Sequence, residues 1–141
     1  EIEEIEQGII PMSTYDFSLD HSERITKIGT AGGWVKASSG YSFKFSERKA
    51  AKIVQNIKKD QPITQNLSRP KYKRYDCIFI DVLYHNNYFG ESIFYRLYKK
   101  NDTRLLLNFL DEQTTFKQDL RIINSLRSGH FIKAFFKTLL A

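Results

Sequence analysis

Residues 28 to 42 read IGTAGGWVKASSGYS, and this segment sets the architecture predicted for the chain. It joins a short alternating segment that stops at Gly29 to a helical pattern that begins after Ser39. Small residues let a backbone approach a ligand closely, and a helix N-terminus offers free N–H groups and the positive end of a dipole. The pattern therefore favours either a site for an anion such as pyrophosphate or a tight strand-to-helix turn that binds nothing.

Strands are predicted before this segment. Glu1 to Met12, a strand or an extended segment, mixes acidic residues with isoleucines and runs into a proline-led loop. Arg24 to Gly29 alternates apolar and charged residues, which indicates a short strand. Strands this short have little sheet to join by themselves, so we expect them to complete a sheet of a longer chain. Because the first residue is Glu1 rather than methionine, we interpret the sequence as a piece of a longer protein.

Helices are predicted for the remainder. One covers roughly Gly40 to Lys59, a loop with two prolines follows over Asp60 to Lys71, and helices cover most of Lys71 to Leu140. The segment Asn101-Asp102-Thr103 is a predicted N-cap for the helix from Arg104 to Asp111. The expected fold class is α+β and predominantly helical.

Composition excludes several classes of protein. The chain has 141 residues, 41% of them hydrophobic, which is too apolar for a disordered tail. Its single cysteine, Cys77, excludes a disulfide scaffold and a cysteine-based zinc cluster, and the three histidines lack metal-ligand spacing, so no metal site is predicted. No uncharged apolar run approaches the roughly 20 residues of a membrane span, and we expect no secretory signal. A net charge of +6 favours anionic partners.

Three blocks of sequence carry a family resemblance. EEIEQGIIPM at 3–12, IGTAGG at 28–33 and SSGYS at 38–42 resemble, in order and spacing, the C-terminal part of the flavin-dependent lycopene cyclases. YDCIFIDVL at 75–83 and NFLD at 108–111 are similar to the C-terminal helices of that family. The resemblance implies that residues 1–60 are the end of an FAD-binding α/β domain of the glutathione-reductase or hydroxylase type and that 61–141 form a helical cap.

The resemblance also implies a cofactor site. Two groups of residues would contact FAD, which NAD(P)H reduces in the family: Gly29, Thr30, Ala31 and Gly32 at the ribityl–pyrophosphate, and Ser39, Gly40 and Tyr41 through N–H groups at the flavin's carbonyl edge. The chain departs from the family motif at Lys36-Ala37, where relatives have His-Pro, and Lys36 is a candidate partner for an anionic reduced flavin. Trp34 is expected either to stack on a polyene or flavin or to fill the core.

The activity implied is the acid-triggered cyclisation of the ψ-ends of lycopene to β-ionone rings, without net redox change. The family's acidic catalytic motif lies upstream of Glu1, so no catalytic residue is predicted in this chain. Leu110–Thr114, LDEQT, looks like that motif but follows the glycine turn (residues 29–33) instead of preceding it. We interpret its carboxylates as solvated.

A carotenoid substrate is soluble in lipid, which bears on the tail from Phe131 to Leu140. This basic amphipathic segment is predicted either to rest on a membrane surface or to pack on the preceding helices. We expect a cytoplasmic, peripherally membrane-associated protein with a carotenoid substrate and no nucleic acid. The alternatives are a basic helical module for nucleic acid or protein, suggested by KYKRY at 71–75, and a related FAD-dependent hydroxylase or polyprenyl reductase.

Overall fold

The computed structural model describes residues 4–5, 7–9, 12–22, 25–126 and 128–140. Within these ranges the regular structure is entirely helical. Its α-helices are α1 (Phe43–Lys58), α2 (Pro70–Asn86), α3 (Gly90–Lys100), α4 (Thr103–Leu110), α5 (Phe116–Ser125) and α6 (Gly129–Leu140), and short 3-10 helices cover Phe17–Asp20, Gly29–Gly32 and Asn87–Phe89.

The predicted N-terminal strands are wrong for the part of the chain that the structure describes. Residues 4–5, 7–9 and 25–28 have no regular structure, and Gly29 begins a 3-10 helix instead of ending a strand. Ile25 and Ile28 are more than half exposed, so the alternation that suggested a strand buries no face. A strand needs a neighbour for its N–H and C=O groups, and none lies beside this segment in the described residues. The rest of the predicted strand residues (1–3, 6, 10, 11 and 24) lie outside the described ranges.

The predicted helices are confirmed, and local signals explain their ends. Pro70 occupies the first turn of α2, where a missing N–H costs nothing. Asp102 caps α4, because its side chain accepts the N–H of Leu105 at 3.1 Å. Thr115 and Gln118 form a capping box at the start of α5. Helix α1 runs to within a few residues of both predicted ends.

The hydrophobic core lies among α3, α4 and α5. Its buried members are Leu97, Leu105, Leu106, Ile122 and Leu126, and aromatic rings of α2, α3 and α6 pack around them. Helix α6 packs on α2, where Ala134 is buried and the Phe131 ring meets Phe79 at 5.6 Å. None of the helices in the described ranges combines the length and the apolarity that crossing a bilayer requires. The segment before α1 contacts α2 through Lys36 and Asp76, and Arg69 before α2 contacts the loop after α4.

Candidate functional site

Two adjoining cavities lie where the segment before α1, the loop before α2 and the loop after α4 come together. The first, here the aromatic cavity, has a volume of about 390 Å³ and includes the side chains of Trp34, Phe17 and Phe45 in its lining. The second, here the cationic cavity, has a volume of about 490 Å³. Its charged lining residues are Arg48, Lys49, Lys52, Arg69, Asp111 and Glu112. Lys49, Arg69 and Glu112 belong to both linings, so the cavities meet at these residues.

A buried ion pair forms one wall of the aromatic cavity. Lys36 is 3% exposed, and its Nζ lies 3.0 Å from a carboxylate oxygen of Asp76 in α2. The hydroxyl of Ser38 donates to the same carboxylate, and Glu112 lies 4.0 Å from the Lys36 ammonium. Lys36 is therefore already paired within this chain, in contrast to the free cation that a role beside a reduced flavin requires.

Glu112 is the buried carboxylate of the site. It is 8% exposed, and its backbone has φ +58°, a left-handed conformation that turns the chain after α4. Burial raises the pKa of Glu112, Lys36 opposes that rise, and Asp76 adds to it. The prediction that the carboxylates of LDEQT are solvated is wrong for Glu112. The residues that follow α4 fold back onto α2 and cover this side chain.

A hydrogen-bond network holds the loop that carries Glu112. The hydroxyl of Tyr72, which is fully buried, donates to the carbonyl of Thr114 at 3.0 Å, and Lys71 bonds both that carbonyl and Asp119. The Thr114 hydroxyl donates to the buried Asp119. Arg69 donates to the carbonyl of Glu112 at 2.7 Å. These bonds join the start of α2 to the loop after α4 and hold Glu112 in place.

Lys49 is the second buried lysine, and its environment differs from that of Lys36. It is 9% exposed, and its Nζ lies 4.2 Å from the centre of the Phe45 ring and 5.9 Å from that of Trp34. Burial lowers the pKa of Lys49 to about 8, against a smaller opposing effect of Glu112. Near neutral pH the ammonium is therefore mostly charged, and it lies over aromatic faces, with no carboxylate oxygen of the described residues within 4 Å.

The predicted flavin residues fall in different places. Thr30 and Gly32 line the aromatic cavity. The linings of the aromatic and cationic cavities do not include the other five: Gly29, Ala31, Ser39, Gly40 and Tyr41. The N–H groups of Ser39 and Gly40 both donate to the carbonyl of Lys36, at 3.1 and 2.8 Å, and the Tyr41 carbonyl accepts from Lys36. A flavin that took these two N–H groups would have to displace the Lys36 carbonyl.

Glycine geometry separates open positions from filled ones. A Cβ on Gly32 would overlap the carbonyl oxygen of Lys27, so this glycine allows the chain itself to pack closely. Gly29 and Gly40 have positive φ, and a Cβ at either would meet no atom within 4 Å. The backbone at Gly29 and Gly40 is thus open to a flat group lying against it, and in that respect the predicted residues fit a flavin.

The sequence reasoning missed Lys49 and Asp76 as site residues, although a signal for each was present. Lys49 follows Phe45 by four residues, and Asp76 follows Tyr72 by four, so each charge lies on the apolar face of its helix. A charge on such a face is buried when the helix packs, and buried charges are paired or functional.

The KYKRY segment does not form the interleaved surface that was suggested for nucleic acid. Tyr72 is fully buried, and Tyr75 stacks on Phe109 with ring centres 6.0 Å apart. Lys71 and Lys73 pair with Asp119 and Asp16. The aromatic rings that would stack on bases are therefore packed into the protein.

Comparison with protein families matches residues 1–139 to a family model described as "Lycopene cyclase protein". The chain belongs to the lycopene cyclase family. Family membership indicates a carotenoid cyclase-like role within an enzyme of carotenoid biosynthesis. Comparison with curated proteins and with solved structures gave no significant match. Across the described ranges of this lycopene cyclase family protein, His, Cys, Asp and Glu side chains do not gather in a group that could hold a metal ion.

Proposed function

We propose that this chain is the C-terminal part of a flavin-dependent lycopene cyclase that converts the ψ-ends of lycopene to β-ionone rings. The observation that carries the proposal is the family match over residues 1–139. The reaction is triggered by protonation of the terminal double bond and ends with loss of a proton, so it involves no net redox change. The acid that starts it is expected in sequence upstream of Glu1.

FAD, reduced by NAD(P)H, is the proposed cofactor. Gly29 and Gly40 would offer it open backbone faces, and Thr30 a hydroxyl at the edge of the aromatic cavity. When bound, the reduced flavin would supply negative charge beside the developing carbocation. Trp34, which lines the same cavity, would shield the polyene end from water.

A peripheral membrane position is the third part of the proposal. On α6, five large apolar side chains are between 43% and 86% exposed: Ile132, Phe135, Phe136, Leu139 and Leu140. Helix α6 packs on α2 through another face, where Ala134 is buried. This arrangement supports insertion of the exposed face into the lipid that dissolves the substrate.

The decisive experiment is expression of the complete reading frame that contains this chain in a host that accumulates lycopene. We expect cyclic carotenoids on chromatography, with the shorter-wavelength absorbance that ring closure produces. Lycopene that stays unchanged, in a host shown to express the folded protein, would contradict the cyclase proposal.

The flavin part has its own test in the same complete protein. Gly40→Asn adds a side chain at an open position, and asparagine tolerates the left-handed backbone, so we expect lower flavin content without a large loss of stability. Gly129→Asn is the matched control, since it adds the same side chain at an equally open glycine at the start of α6. Equal flavin absorbance per protein in both variants would remove Gly40 from the cofactor site.

A further inference from the structure

The cationic cavity carries more positive charge than its own carboxylates balance. Of its four cations, Arg48 lies 3.6 Å from a carboxylate oxygen of Asp111. For Lys49, Lys52 and Arg69 the lining then holds one further carboxylate, Glu112, and that carboxylate also lies 4.0 Å from the Lys36 ammonium. A concave surface with surplus cations concentrates anions.

Lys49 is the member of this group that points to a ligand. Within the described ranges its ammonium forms no hydrogen bond and no ion pair, although the side chain is nine-tenths buried and lines both cavities. Lys36, equally buried, has Asp76 beside it. Because a cation on a buried side chain without an ion-pair partner is unfavourable, the position of Lys49 is explained if an anion occupies the cavity.

The other groups around the cationic cavity suit a phosphate. Lys52 follows Lys49 by three residues, so both side chains line the cavity from one side of α1, and the Lys52 ammonium lies 3.4 Å from the amide oxygen of Gln55. Arg69 offers a planar guanidinium, and the cavity lining adds Ser68 and Asn66, both of which can donate to oxygen. A phosphate group carries enough charge and oxygen atoms to engage several such donors at once.

We propose that the cationic cavity binds the phosphate group of a small molecule, with the Lys49 ammonium as its central contact. The adjoining aromatic cavity gives room for an organic body attached to that phosphate. The residues of the cationic cavity have no role in the proposed reaction, so this proposal can fail separately from the cyclase assignment. The two proposals share only the aromatic cavity with Trp34 and Thr30.

Trp34 makes the proposal measurable without a label. It is the one tryptophan in the sequence, it lines the aromatic cavity, and it lies 5.9 Å from the Lys49 ammonium. We expect inorganic phosphate and pyrophosphate, titrated into the 141-residue chain at low ionic strength, to change its fluorescence with saturation. Chloride at matched ionic strength should not. A signal that never saturates, or that chloride reproduces, overturns the proposal.

Variants of α1 test the assignment to Lys49. Lys49→Met keeps the apolar stem and removes the charge, so we expect the affinity for phosphate to fall by a factor of about ten or more. Lys58→Met is the matched control, because Lys58 is exposed on the same helix and lines neither cavity. Equal affinities of the two variants would show a general attraction to a basic chain and would overturn the site.

Circular dichroism establishes whether each variant is folded. If Lys49→Met does not fold, Lys52→Met decides, because Lys52 is less buried and lines the same cavity. Unchanged phosphate affinity in a folded Lys52→Met then overturns the proposal, and a several-fold loss supports it.

FMN and riboflavin, which differ by one phosphate, separate the sources of that group. Retention of FMN but not riboflavin on ultrafiltration, lost in Lys49→Met, assigns the phosphate to a flavin nucleotide. Binding of pyrophosphate without retention of FMN assigns it to a free phosphate compound. Equal retention of both flavins, unaffected by Lys49→Met and without pyrophosphate binding, contradicts a phosphate site. A negative cyclase assay leaves each of these results unchanged, so the two proposals fail separately.

Discussion

At the scale of single residues, Lys49 is expected to make stability depend on pH. Its folded pKa is about 8, below the ordinary value of 10.5. The folded state therefore binds fewer protons than the unfolded state between these values, and stability rises with pH across this window. Below pH 8 the buried charge destabilises the fold by an amount on the order of 3 kcal/mol.

Lys49→Met removes this effect. We expect the variant to be more stable than the parent chain at pH 7, by about 1–3 kcal/mol, and the difference to shrink as the pH rises from 8 to 10. Urea unfolding of both proteins at several pH values measures it. A difference that stays constant with pH would mean that Lys49 titrates normally in the folded state.

Two glycines of the same short helix should respond differently to alanine. A Cβ on Gly32 would overlap the backbone carbonyl of Lys27, so Gly32→Ala should destabilise the fold by about 2 kcal/mol or more. Gly29→Ala is the control: it adds strain at φ +60° but meets no atom, and about 1 kcal/mol is expected. Thermal unfolding compares them, and equal losses would show that the close approach at Lys27 relaxes freely.

Glu112 marks the limit of sequence reasoning at this scale. Adjacent carboxylates at a helix end are usually solvated, and Asp111 and Glu112 follow the last residue of α4. What buries Glu112 is the folding of the next residues onto α2, where the Thr114 carbonyl accepts from Tyr72, 42 residues away in sequence. Such contacts between distant segments are invisible to local patterns.

At the scale of elements, the contact between α2 and the loop after α4 rests on a few polar bonds. Tyr72→Phe removes two hydrogen-bond contacts to Thr114 while keeping the ring, so we expect a loss of about 1 kcal/mol in the free energy of unfolding. Tyr75→Phe is the matched change, since its hydroxyl makes a longer bond of 3.3 Å and is only partly buried. An equal or larger loss of stability for Tyr75→Phe would contradict the anchoring role of Tyr72.

Helix α6 is expected to contact lipid through its exposed face. Phe135 and Phe136 are 46% and 56% exposed, so replacing both with aspartate should cost little stability and should move the complete protein off anionic vesicles in a flotation assay. Phe43→Asp is the control, since it removes an exposed ring from α1 and leaves α6 unchanged. Unchanged flotation of the double variant beside an unchanged melting curve would contradict the membrane role of α6.

Helices were predictable here and strands were not, for a physical reason. The signals of a helix are local: Asp102 caps α4 and Pro70 starts α2 within one turn of chain. A strand is stable only beside another strand, so the alternation at Ile25 and Ile28 was ambiguous by itself. The small residues at 28–42 predicted a backbone that a ligand can approach. Gly29 and Gly40 have free space beside the backbone, whereas at Gly32 the carbonyl of Lys27 fills that space.

At the scale of the whole molecule, the ion pair of Lys36 and Asp76 ties the segment before α1 to the helical region. Lys36→Met would leave Asp76 in a nearly buried position without its cation, and we expect a loss of about 3–5 kcal/mol. The double variant Lys36→Met/Asp76→Leu should recover a large part of it, because no charge is then left unpaired. Chemical denaturation measures both, and a double variant as unstable as the single one would show that packing, and not charge pairing, holds the segment.

The aromatic cavity has one more property of practical value. Its lining contains the only tryptophan and the only cysteine of the sequence, Trp34 from the segment before α1 and Cys77 from α2. Burial raises the pKa of the Cys77 thiol, so labelling will be slow at neutral pH and faster in mild base. A small acceptor dye on Cys77 would form an energy-transfer pair with Trp34. The transfer efficiency would then measure, without any substitution, changes in the distance between the segment before α1 and α2.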